Sequence, residues 1–234
     1  MKELAILIPA YNEEKSINEC IENWSSLKID KVKFDIIIAN DGSTDSTLNI
    51  LKEKQSSIKN LIVLSQKNLG HGPTIINLYK YALKSKYEYI FQTDSDNQFL
   101  ISDFYKLWNE KNNFDFICGK RHNRKDKFHR LLITNILKFL IYLIYFKNLP
   151  DVNSPFRLFK TKNLINFFKI IKDNCLIPNI FLSIYASKNY KIKFINVEHL
   201  ERKEGTVSIL GLKLINFCII SFFQFISFRF RIKL

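Results

Sequence analysis

The sequence lacks the motifs of several common protein classes. Its four cysteines show no Cys-x-x-Cys spacing and have no histidine pair near them, which argues against a zinc site or a disulfide framework and indicates a reducing compartment. No G-x-G-x-x-G fingerprint and no G-x-x-x-x-G-K-S/T loop is present, so a dinucleotide enzyme and a P-loop ATPase are disfavoured. Any phosphate groups that the protein binds must therefore be handled by a metal ion and by basic side chains.

Internal repeats, low-complexity tracts and Gly/Ser linkers are also absent, so one compact body is the simplest organisation. The first apolar run, residues 4–10, is short, and Asn12, Glu13 and Glu14 follow it at once, which indicates a buried strand and not a signal peptide. With 234 residues, 47% of them hydrophobic, the chain can bury one substantial α/β core.

Acidic residues are few relative to basic ones. The chain has 22 Asp and Glu against 36 Lys and Arg, which gives a net charge of +14. Such an excess indicates an anionic partner, which can be a nucleotide phosphate, an anionic lipid headgroup or a nucleic acid. The excess of basic residues can also reflect solubility and a compositional drift towards lysine, so the net charge alone does not show that the protein has an anionic partner.

What the sequence does contain is an alternation of apolar runs and helical patterns. The runs are typical of parallel strands buried on both faces and cover residues 4–8, 35–39, 61–65 and 89–93. Helices are expected at residues 17–24, from an N-cap at Ser43 or Thr44 to about residue 54, and from Pro73 to about residue 85. This β-α-β-α-β-α-β order predicts an open parallel α/β sheet with helices on both faces.

Unusual turns follow all four of the expected strands. They comprise residues 9–13, Asp41, residues 70–72 and residues 94–98. In open α/β sheets ligands bind outside the carboxyl ends of the strands, and all of these turns fall at such ends. Four turns that share one crevice favour a binding site over chance loops.

The most informative turn is the acidic one within residues 90–99. Asp94, Asp96 and Gln98 occupy every second position, and in extended backbone residues two apart point to the same side. Carboxylate and amide oxygens suit a hard divalent cation such as Mg²⁺ or Mn²⁺; proteins usually hold Mg²⁺ with one or two carboxylates and substrate phosphates. The alternative is an acidic surface turn, because Asp, Ser and Asn are turn formers.

Seven short motifs, in one order along the chain, connect these turns to a known family. They are residues 8–14 (IPAYNEE), 40–45 (NDGSTD), 68–72 (NLGHG), 94–98 (DSDNQ), 119–121 (GKR), 151–157 (DVNSPFR) and 202–208 (RKEGTVS). Through them the chain resembles a family 2 glycosyltransferase of the GT-A fold, a Rossmann-like, mostly parallel sheet flanked by helices. The subgroup that it resembles contains dolichol-phosphate mannose synthase and the bacterial polyprenyl-phosphate glycosyltransferases.

The resemblance implies roles on the donor side. The residues that would bind the nucleotide-sugar are Pro9, Tyr11, Glu13, Asp41, Asp94, Ser95 and Arg121. The residues that would hold the metal, Mg²⁺ or Mn²⁺, against the donor diphosphate are Asp94, Asp96 and Gln98. In catalysis Asp96 and Arg202 would act, with Arg202 contacting phosphate, and Asp151 is the candidate base if the acceptor is a hydroxyl.

The acceptor side has further matching features. The chain is strongly basic after Arg121 and leads into an apolar helix, residues 131–146, with a polar stripe at spacings of three and four. Arg130 and Thr134 lie one turn apart, which resembles the acceptor-phosphate pair of the dolichol-phosphate enzymes, with Thr in place of Ser. Arg121, which would also contact the acceptor, and Ser208 complete the acceptor set that the resemblance implies. The alternative is an ordinary core helix with a basic solvent edge.

Residues 209–234 are more apolar still, and their polar side chains project to one side at a helical period. A polar stripe suits a helix that lies flat in the membrane interface. A spanning helix would carry Arg229, Arg231 and Lys233 to the far side, against the positive-inside tendency. We expect peripheral association with an anionic membrane surface, at the cytoplasmic face of the plasma membrane, although packing of the segment's first half onto the body stays open.

The expected organisation is a GT-A domain followed by this helix. Residues 1–208 would form the domain, with residues 1–120 as its nucleotide-sugar half and residues 121–208 as its acceptor half. Residues 209–234 would form the membrane-associating helix. The sequence does not determine the oligomeric state.

Three functional hypotheses follow. The first is an inverting, metal-dependent enzyme that moves a sugar from a nucleotide-diphosphate sugar to a polyprenyl phosphate or another lipid-linked acceptor. The second transfers the sugar to a sugar hydroxyl, with Asp151 as general base, because a hydroxyl is a poor nucleophile until it is deprotonated. The third is a nucleic-acid-binding protein, which leaves the carboxylates unexplained and lacks a binding motif, so nucleic acid is not an expected partner.

Overall fold

The computed structural model describes residues 2–122, 128–201 and 212–232, with their side chains except at 128–133 and 212–215. The strands in these ranges are β1 (Leu4–Ala10), β2 (Phe34–Asp41), β3 (Leu61–Gln66), β4 (Tyr89–Gln92), β5 (Phe116–His122), β6 (Arg157–Lys160) and β7 (Ile192–Glu198). The helices are α1 (Ile17–Ser25), α2 (Thr47–Ser57), α3 (His71–Lys84), α4 (Ile101–Trp108), α5 (Phe128–Tyr145), α6 (Leu164–Phe167), α7 (Pro178–Asn189) and α8 (Leu212–Arg231).

The strands form one sheet with the order β3-β2-β1-β4-β6-β5-β7. The first four of these strands run parallel, β6 is antiparallel to both of its neighbours, and β7 is parallel to β5. The carboxyl ends of β1, β2, β3 and β4 therefore lie along one edge. The open, mostly parallel α/β sheet expected from the sequence is confirmed.

The sheet separates two hydrophobic cores. Alternate side chains of β1 enter each of them: Leu4, Ile6 and Ile8 pack with α1, α2 and α4, whereas Ala5 and Leu7 pack with α3, α5, α7 and α8. Every residue of β1 is buried. This double burial explains why the strand reads as an uninterrupted apolar run.

β1 continues through Pro9 to Ala10, beyond the end expected at residue 8. The pairing of β1 with β4 ends at Leu7, whose carbonyl accepts the N–H of Thr93, and Pro9 pairs only with Ala39 of β2. Residues two apart present their backbone groups to the same side, so the missing N–H of Pro9 faces the side on which β4 has ended. A proline is tolerated where no ladder bond requires its N–H.

The N-cap expected at Ser43 or Thr44 is wrong, because α2 begins at Thr47. The polar groups of both residues are used elsewhere: Ser43 Oγ accepts the backbone N–H of Asn12 at 3.0 Å, and the N–H of Thr44 donates to Asn12 Oδ1 at 2.8 Å. The side chain of Asp45 instead binds a free N–H at the start of α2, since its Oδ1 accepts the N–H of Thr47 at 3.0 Å.

Polar side chains of α8 attach this helix to the body. Arg229 Nε donates to the carbonyl of Ile144 at 3.0 Å, and Arg231 Nη1 donates to the carbonyl of Ile170 at 2.8 Å. Gln224 of the predicted polar stripe likewise accepts the backbone N–H of Leu176 at 2.9 Å. At Gln224 and Arg231 the stripe therefore contacts the protein, contrary to the expectation of a stripe in the polar layer of a membrane interface.

The second half of α8 belongs to the core. Phe225, Phe228 and Ile232 are buried, and the ring of Phe228 stacks on Phe181 with centroids 4.3 Å apart. The sequence had left open such packing for the first half of the segment, whereas the structure shows it for the second half. Among the described residues, no helix combines the length and the apolar character needed to cross a membrane.

Candidate active site

The turns after β1 and β2 are bonded to each other. Asn12 adopts a left-handed backbone conformation with φ of +54° and binds Thr44, and the N–H of Glu13 donates to Thr47 Oγ1 at 2.8 Å. Tyr11 stays 36% exposed beside this contact. Two motifs that are separate in sequence thus form one unit at the carboxyl edge of the sheet.

Asp41 fixes the turn between β3 and α3. The residue is 3% exposed, and its Oδ1 accepts the Gln66 side-chain amide at 2.8 Å and the backbone N–H of Leu69 at 2.9 Å. Its Oδ2 accepts the backbone N–H of Gly70 at 2.8 Å. The carboxylate therefore holds the loop that leads into α3.

The acidic pair lies directly after β4. Asp94 and Asp96 are half-buried and Ser95 is buried. Burial raises the pKa of the Cys20 thiol on α1 well above its usual range, and the negative charges of Asp96, Glu13 and Asp94 raise it further. These three carboxylates, together with that of Glu19, thus act on one point beside the strand end.

The alternation predicted for this stretch is wrong at Gln98. The backbone bends at Asp96, and Asn97 has a φ of +57°, so residues 94–98 are not extended. The side-chain amide of Gln98 donates to the Leu200 carbonyl at 2.9 Å, and the N–H of Leu200 donates to the Gln98 carbonyl at 2.9 Å. Gln98 thus anchors the segment before residue 202, and we do not retain it as a metal ligand.

The remaining acidic pair fits a divalent cation. Within the described part of the chain, no group of three His, Cys, Asp or Glu side chains is arranged to hold a metal. Two carboxylates are nevertheless the usual protein contribution to a Mg²⁺ site whose other ligands are waters and substrate phosphates. Asp94 and Asp96, gathered with Glu13 in one acidic region, match that donor set.

Arg121 and Asp151 form a bidentate ion pair. Arg121 Nε donates to Oδ2 at 2.8 Å, Nη2 donates to Oδ1 at 2.9 Å, and the backbone N–H of Arg121 donates to Oδ2 at 3.1 Å. Asp151 is 5% exposed. Because the guanidinium engages both carboxylate oxygens, the geometry favours a residue that positions Arg121 over the general base predicted from sequence.

The side chain of Arg157 is hydrogen-bonded to the loop that follows Asp151. It is fully buried and donates to the carbonyls of Val152 at 3.3 Å, Ser154 at 3.0 Å and Asn179 at 2.9 Å. The loop is thereby joined to the first turn of α7. Arg157 ends the motif at residues 151–157, but the motif alone does not predict this structural role.

A cavity of about 840 Å³ opens between these turns and the helices α5, α7 and α8. Where it meets the strand ends, its lining is polar: His71, Asp94, Arg121 and Asn153. Along the helices its lining is mostly apolar and includes Ile136, Leu140, Ile180, Phe217 and Phe222. Four charged or polar side chains thus share a cavity with a long apolar wall.

His71 is the first residue of α3, and its position in the motif at residues 68–72 does not by itself predict a role. Its side chain is exposed at the cavity, where desolvation by the surrounding protein lowers the pKa of its imidazole against the opposing effect of the negative charges of Asp41 and Asp96. The next residue, Gly72, allows a close approach: a Cβ there would lie 2.2 Å from the carbonyl oxygen of Cys175. This packing holds His71 at the cavity.

Asn179 and Ser221, two of the residues that line the cavity, each have a buried polar atom without a hydrogen-bond partner. The atoms are Oδ1 of Asn179, a residue that is 4% exposed, and Oγ of Ser221, a residue that is 9% exposed. A buried polar atom without a partner is costly, so each marks a place where a ligand or water supplies one. Sequence reasoning missed both, because a single polar residue in an apolar helix gives no signal by itself.

Some of the predicted site residues cannot be positioned. Arg202 and Ser208 lie outside the described residues, as does the side chain of Arg130. Thr134 is half-buried on α5. The phosphate roles suggested for these residues stay predictions.

The mostly parallel sheet, with an acidic pair at a strand end, defines a GT-A-type glycosyltransferase fold. The family model described as glycosyl transferase family 2 matches residues 5–168. The chain belongs to this family and is a glycosyltransferase, as the sequence motifs predicted.

Relatives with similar sequences include an uncharacterised protein of Methanocaldococcus jannaschii, 31% identical over 82% of this chain and 87% of its own. A dolichyl-phosphate beta-glucosyltransferase of Trichomonas vaginalis is 28% identical over 89% of this chain and 69% of its own. An undecaprenyl-phosphate 4-deoxy-4-formamido-L-arabinose transferase of Pectobacterium atrosepticum is 28% identical over 92% of this chain and 65% of its own. The chain spans about two thirds of the length of the last two relatives.

Solved structures show the same fold. Glucosyl-3-phosphoglycerate synthase from Mycobacterium tuberculosis, in complex with Mn²⁺, UDP-glucose and phosphoglyceric acid, gives a TM-score of 0.68 at 15% identity and covers 98% of this chain and 79% of its own. S. aureus TarS residues 1–349 in complex with UDP-GlcNAc give 0.61 at 21% identity, covering 96% of this chain and 66% of that one. At these identities the likeness concerns the fold alone.

Proposed function

We propose that the protein transfers a sugar from a nucleotide-diphosphate sugar to a polyprenyl phosphate, with inversion at the anomeric carbon. The observation that supports this most directly is the cavity, which has Arg121 at its polar end and an apolar wall along α5, α7 and α8. A polyprenyl phosphate has the same two parts, an anionic head and a hydrocarbon tail. Two of the relatives are named for transfer to dolichyl phosphate and undecaprenyl phosphate.

The donor would bind at the carboxyl ends of β1, β2 and β4. Tyr11, Glu13 and Asp41 lie in or beside the joined turns there, with Pro9 and Ser95 buried next to them. A divalent cation at Asp94 and Asp96 would offset the charge that develops on the leaving diphosphate. The mycobacterial neighbour contains Mn²⁺ and UDP-glucose, which supports this class of donor and cofactor.

The transfer is a single displacement. An oxygen of the acceptor phosphate attacks the anomeric carbon from the face opposite the diphosphate, the new C–O bond forms, and the nucleoside diphosphate leaves with the electron pair of the broken bond. Arg121 holds the attacking phosphate, and Asp151 holds Arg121. A phosphate acceptor is already ionised, so this chemistry needs no general base.

The transfer to a sugar hydroxyl is less well supported. It requires a base to take the hydroxyl proton, and the proposed base, Asp151, has both oxygens in the ion pair with Arg121. The apolar wall of the cavity also offers little to a second sugar, which needs hydrogen bonds.

We further propose that the protein works at an anionic membrane surface, at its cytoplasmic face. Large apolar side chains are exposed on α5, on Phe146 just after it, and on α8; this apolar α5–α8 face comprises Ile136, Phe139, Tyr142, Leu143, Phe146, Ile219, Ile220, Phe222, Phe223 and Phe230. Ile136, Ile219, Phe222 and Phe223 also line the cavity, so the cavity opens on this face. A lipid acceptor can then enter from the bilayer without crossing water.

The proposal is tested by incubating the purified protein with Mn²⁺, a panel of nucleotide-sugars and a polyprenyl phosphate in detergent micelles. Transfer is measured by extraction of labelled sugar into the organic phase. We expect transfer to the polyprenyl phosphate and none to the matching polyprenol, which lacks the ionised oxygen. Equal transfer to the polyprenol, or transfer only to soluble sugars, would contradict the proposal.

A further inference from the structure

We propose that Asn97 is a positioning residue for the metal site, because its side chain ties the acidic turn at residues 94–98 to the start of α1. This inference rests on the proposed function, since it concerns the divalent cation that would bind Asp94 and Asp96 together with the donor diphosphate. Asn97 acts through Asp96 and is not itself a ligand of the metal.

The backbone at Asn97 orients the carboxylate of Asp96. Asn97 has a φ of +57°, a left-handed conformation that glycine adopts freely and that asparagine tolerates better than most residues. In this turn the backbone N–H of Gln98 donates to Asp96 Oδ1 at 3.3 Å. Such a bond, from an aspartate to the N–H two residues further on, holds the carboxylate against the turn. An extended residue 97 would break it.

The side chain of Asn97 connects this turn to a distant part of the chain. Its Nδ2 donates to the carbonyl of Ser16 at 3.1 Å, across 81 positions of sequence. Ser16 is 7% exposed, and its carbonyl also accepts the backbone N–H of Cys20 at 3.0 Å. The acceptor therefore belongs to the first turn of α1, so the bond attaches the acidic turn to a helix that is packed in the core.

The same serine holds the carboxylate of Glu13. Ser16 Oγ donates to Glu13 Oε2 at 2.7 Å, and the backbone N–H of Ser16 donates to the Glu13 carbonyl at 3.0 Å. Through Ser16, Asn97 thus sets the separation between the turn that carries Asp96 and the turn that carries Glu13. Like charges repel, so we expect the acidic turn to move away from α1 when this hydrogen bond is removed.

The decisive variants are Asn97→Gly and Asn97→Ala. Glycine adopts the left-handed conformation freely and removes only the amide, whereas alanine removes the amide and also disfavours that conformation. Titration calorimetry measures the Kd for Mn²⁺ in the presence of UDP and, separately, of GDP. We expect this Kd to rise about two- to tenfold in Asn97→Gly, the effect of losing one hydrogen bond, and about tenfold or more in Asn97→Ala.

A purely structural role would lower Tm and leave the metal affinity of the folded protein unchanged. We expect instead that the Mn²⁺ concentration that half-activates transfer rises by the same factor as the Kd. An unchanged Kd in Asn97→Gly would overturn the inference even if Tm falls, because the amide would then contribute nothing to the metal site. If Asn97→Ala does not fold, Asn97→Gly decides alone, since glycine fits the backbone at this position.

Asn60→Ala is the matched control. The amide of Asn60 is also half-buried and also donates to a backbone carbonyl, that of Phe34 at 3.4 Å, but it lies at the start of β3, at the opposite edge of the sheet. Its Kd for Mn²⁺ should equal that of the wild type. A rise as large as in Asn97→Gly would indicate a general loosening of the fold and would overturn the inference.

The outcomes also separate this inference from the proposed function. A wild-type protein that binds no Mn²⁺ with either nucleotide contradicts the metal site of the proposed function, and the role of Asn97 fails with it. Binding by the wild type with an unchanged Kd in Asn97→Gly contradicts only the role of Asn97.

Discussion

At the scale of single residues, two carboxylates decide the metal proposal. Asp94 and Asp96 lie with Glu13 in one acidic region. We expect Asp94→Asn and Asp96→Asn to abolish transfer and to leave Tm unchanged or higher, because each removes a negative charge from a group of like charges. Calorimetric titration with Mn²⁺ in the presence of a nucleoside diphosphate should show binding to the wild type and none to either variant.

Treatment with EDTA provides the complementary test of the metal. Activity should vanish and should return on addition of Mn²⁺ or Mg²⁺. Asp30→Asn, on an exposed residue, is the control for the loss of one negative charge and should retain full activity. Full transfer in the presence of the chelator would rule the metal out.

The ion pair of Arg121 and Asp151 predicts that the effects of substituting its two members on activity are not additive. If Asp151 acts by holding Arg121, the single variants Arg121→Gln and Asp151→Asn should each lower kcat/KM for the polyprenyl phosphate by at least about tenfold. The double variant should then lose little more, because both changes remove one interaction. Losses that multiply in the double variant would indicate that Asp151 acts independently, as a general base does.

We expect substitution of Asp41 to lower the stability of the protein as well as its affinity for the nucleotide-sugar. Asp41→Asn replaces one accepting oxygen with an N–H₂ group that faces backbone or amide donors. We expect the free energy of unfolding to fall by about 1–3 kcal/mol, the cost of buried donors without an acceptor. The KM for the nucleotide-sugar should rise more than kcat falls, since the loop is displaced and the reacting bond is not. Asp30→Asn should show neither change, and a stable variant with an unchanged KM would contradict the role.

The site residues that could be predicted from the sequence are those that lie at the ends of strands. The sequence predicted Asp94 and Arg121 as site residues because strand-end position and motif point to them, and both line the cavity. His71 and Asn179 were missed, since only packing of α3 against the start of α7 brings them there. The pairing of Arg121 with Asp151 was missed for the same reason: a loop must return to β5 before the two meet.

At the scale of elements, α8 shows the limit of a periodic pattern. Its spacing identifies which residues share a face, and that part of the prediction holds. It does not identify which face meets the protein. Here Arg229 and Arg231 find backbone carbonyls on the body, and Phe222 and Phe223 point outward. Strands carry no such ambiguity when both of their faces are buried, which is why β1 was recognised from its apolar run.

The two faces of α8 can be separated by a matched pair of substitutions. Phe225→Ala empties a core position that is 2% exposed, and we expect a loss of about 3–5 kcal/mol in the free energy of unfolding. Phe223→Ala alters a residue that is 67% exposed and should change that free energy by no more than about 0.5 kcal/mol. Urea denaturation measures both, and equal losses would contradict the described orientation of the helix.

At the scale of the whole molecule, charge and apolar surface act together. Five of the exposed large apolar side chains lie on α5 and Phe146 and five on α8, out of fifteen in the described part of the chain. The chain also has a net charge of +14. An anionic bilayer offers both a hydrocarbon boundary and negative headgroups, so it complements the two properties at once. Removing α8 is not a clean test of this, because its second half fills the core.

We therefore expect binding to vesicles to depend on the exposed face alone. Phe139 and Phe230 are exposed on this face and do not line the cavity. A Phe side chain contributes roughly 1.5–3 kcal/mol when it is fully buried, so Phe139→Ser with Phe230→Ser should weaken binding at least about tenfold while the free energy of unfolding stays nearly constant. Each basic residue near an anionic surface adds roughly 1 kcal/mol, so the wild type should sediment with anionic vesicles, less with neutral ones, and should be partly released by high salt. The double variant should keep nucleotide-sugar binding but lose transfer to a polyprenyl phosphate in vesicles, and recover it in detergent micelles. If the wild type stays in the supernatant with anionic vesicles, the apolar α5–α8 face serves another partner and the membrane proposal fails.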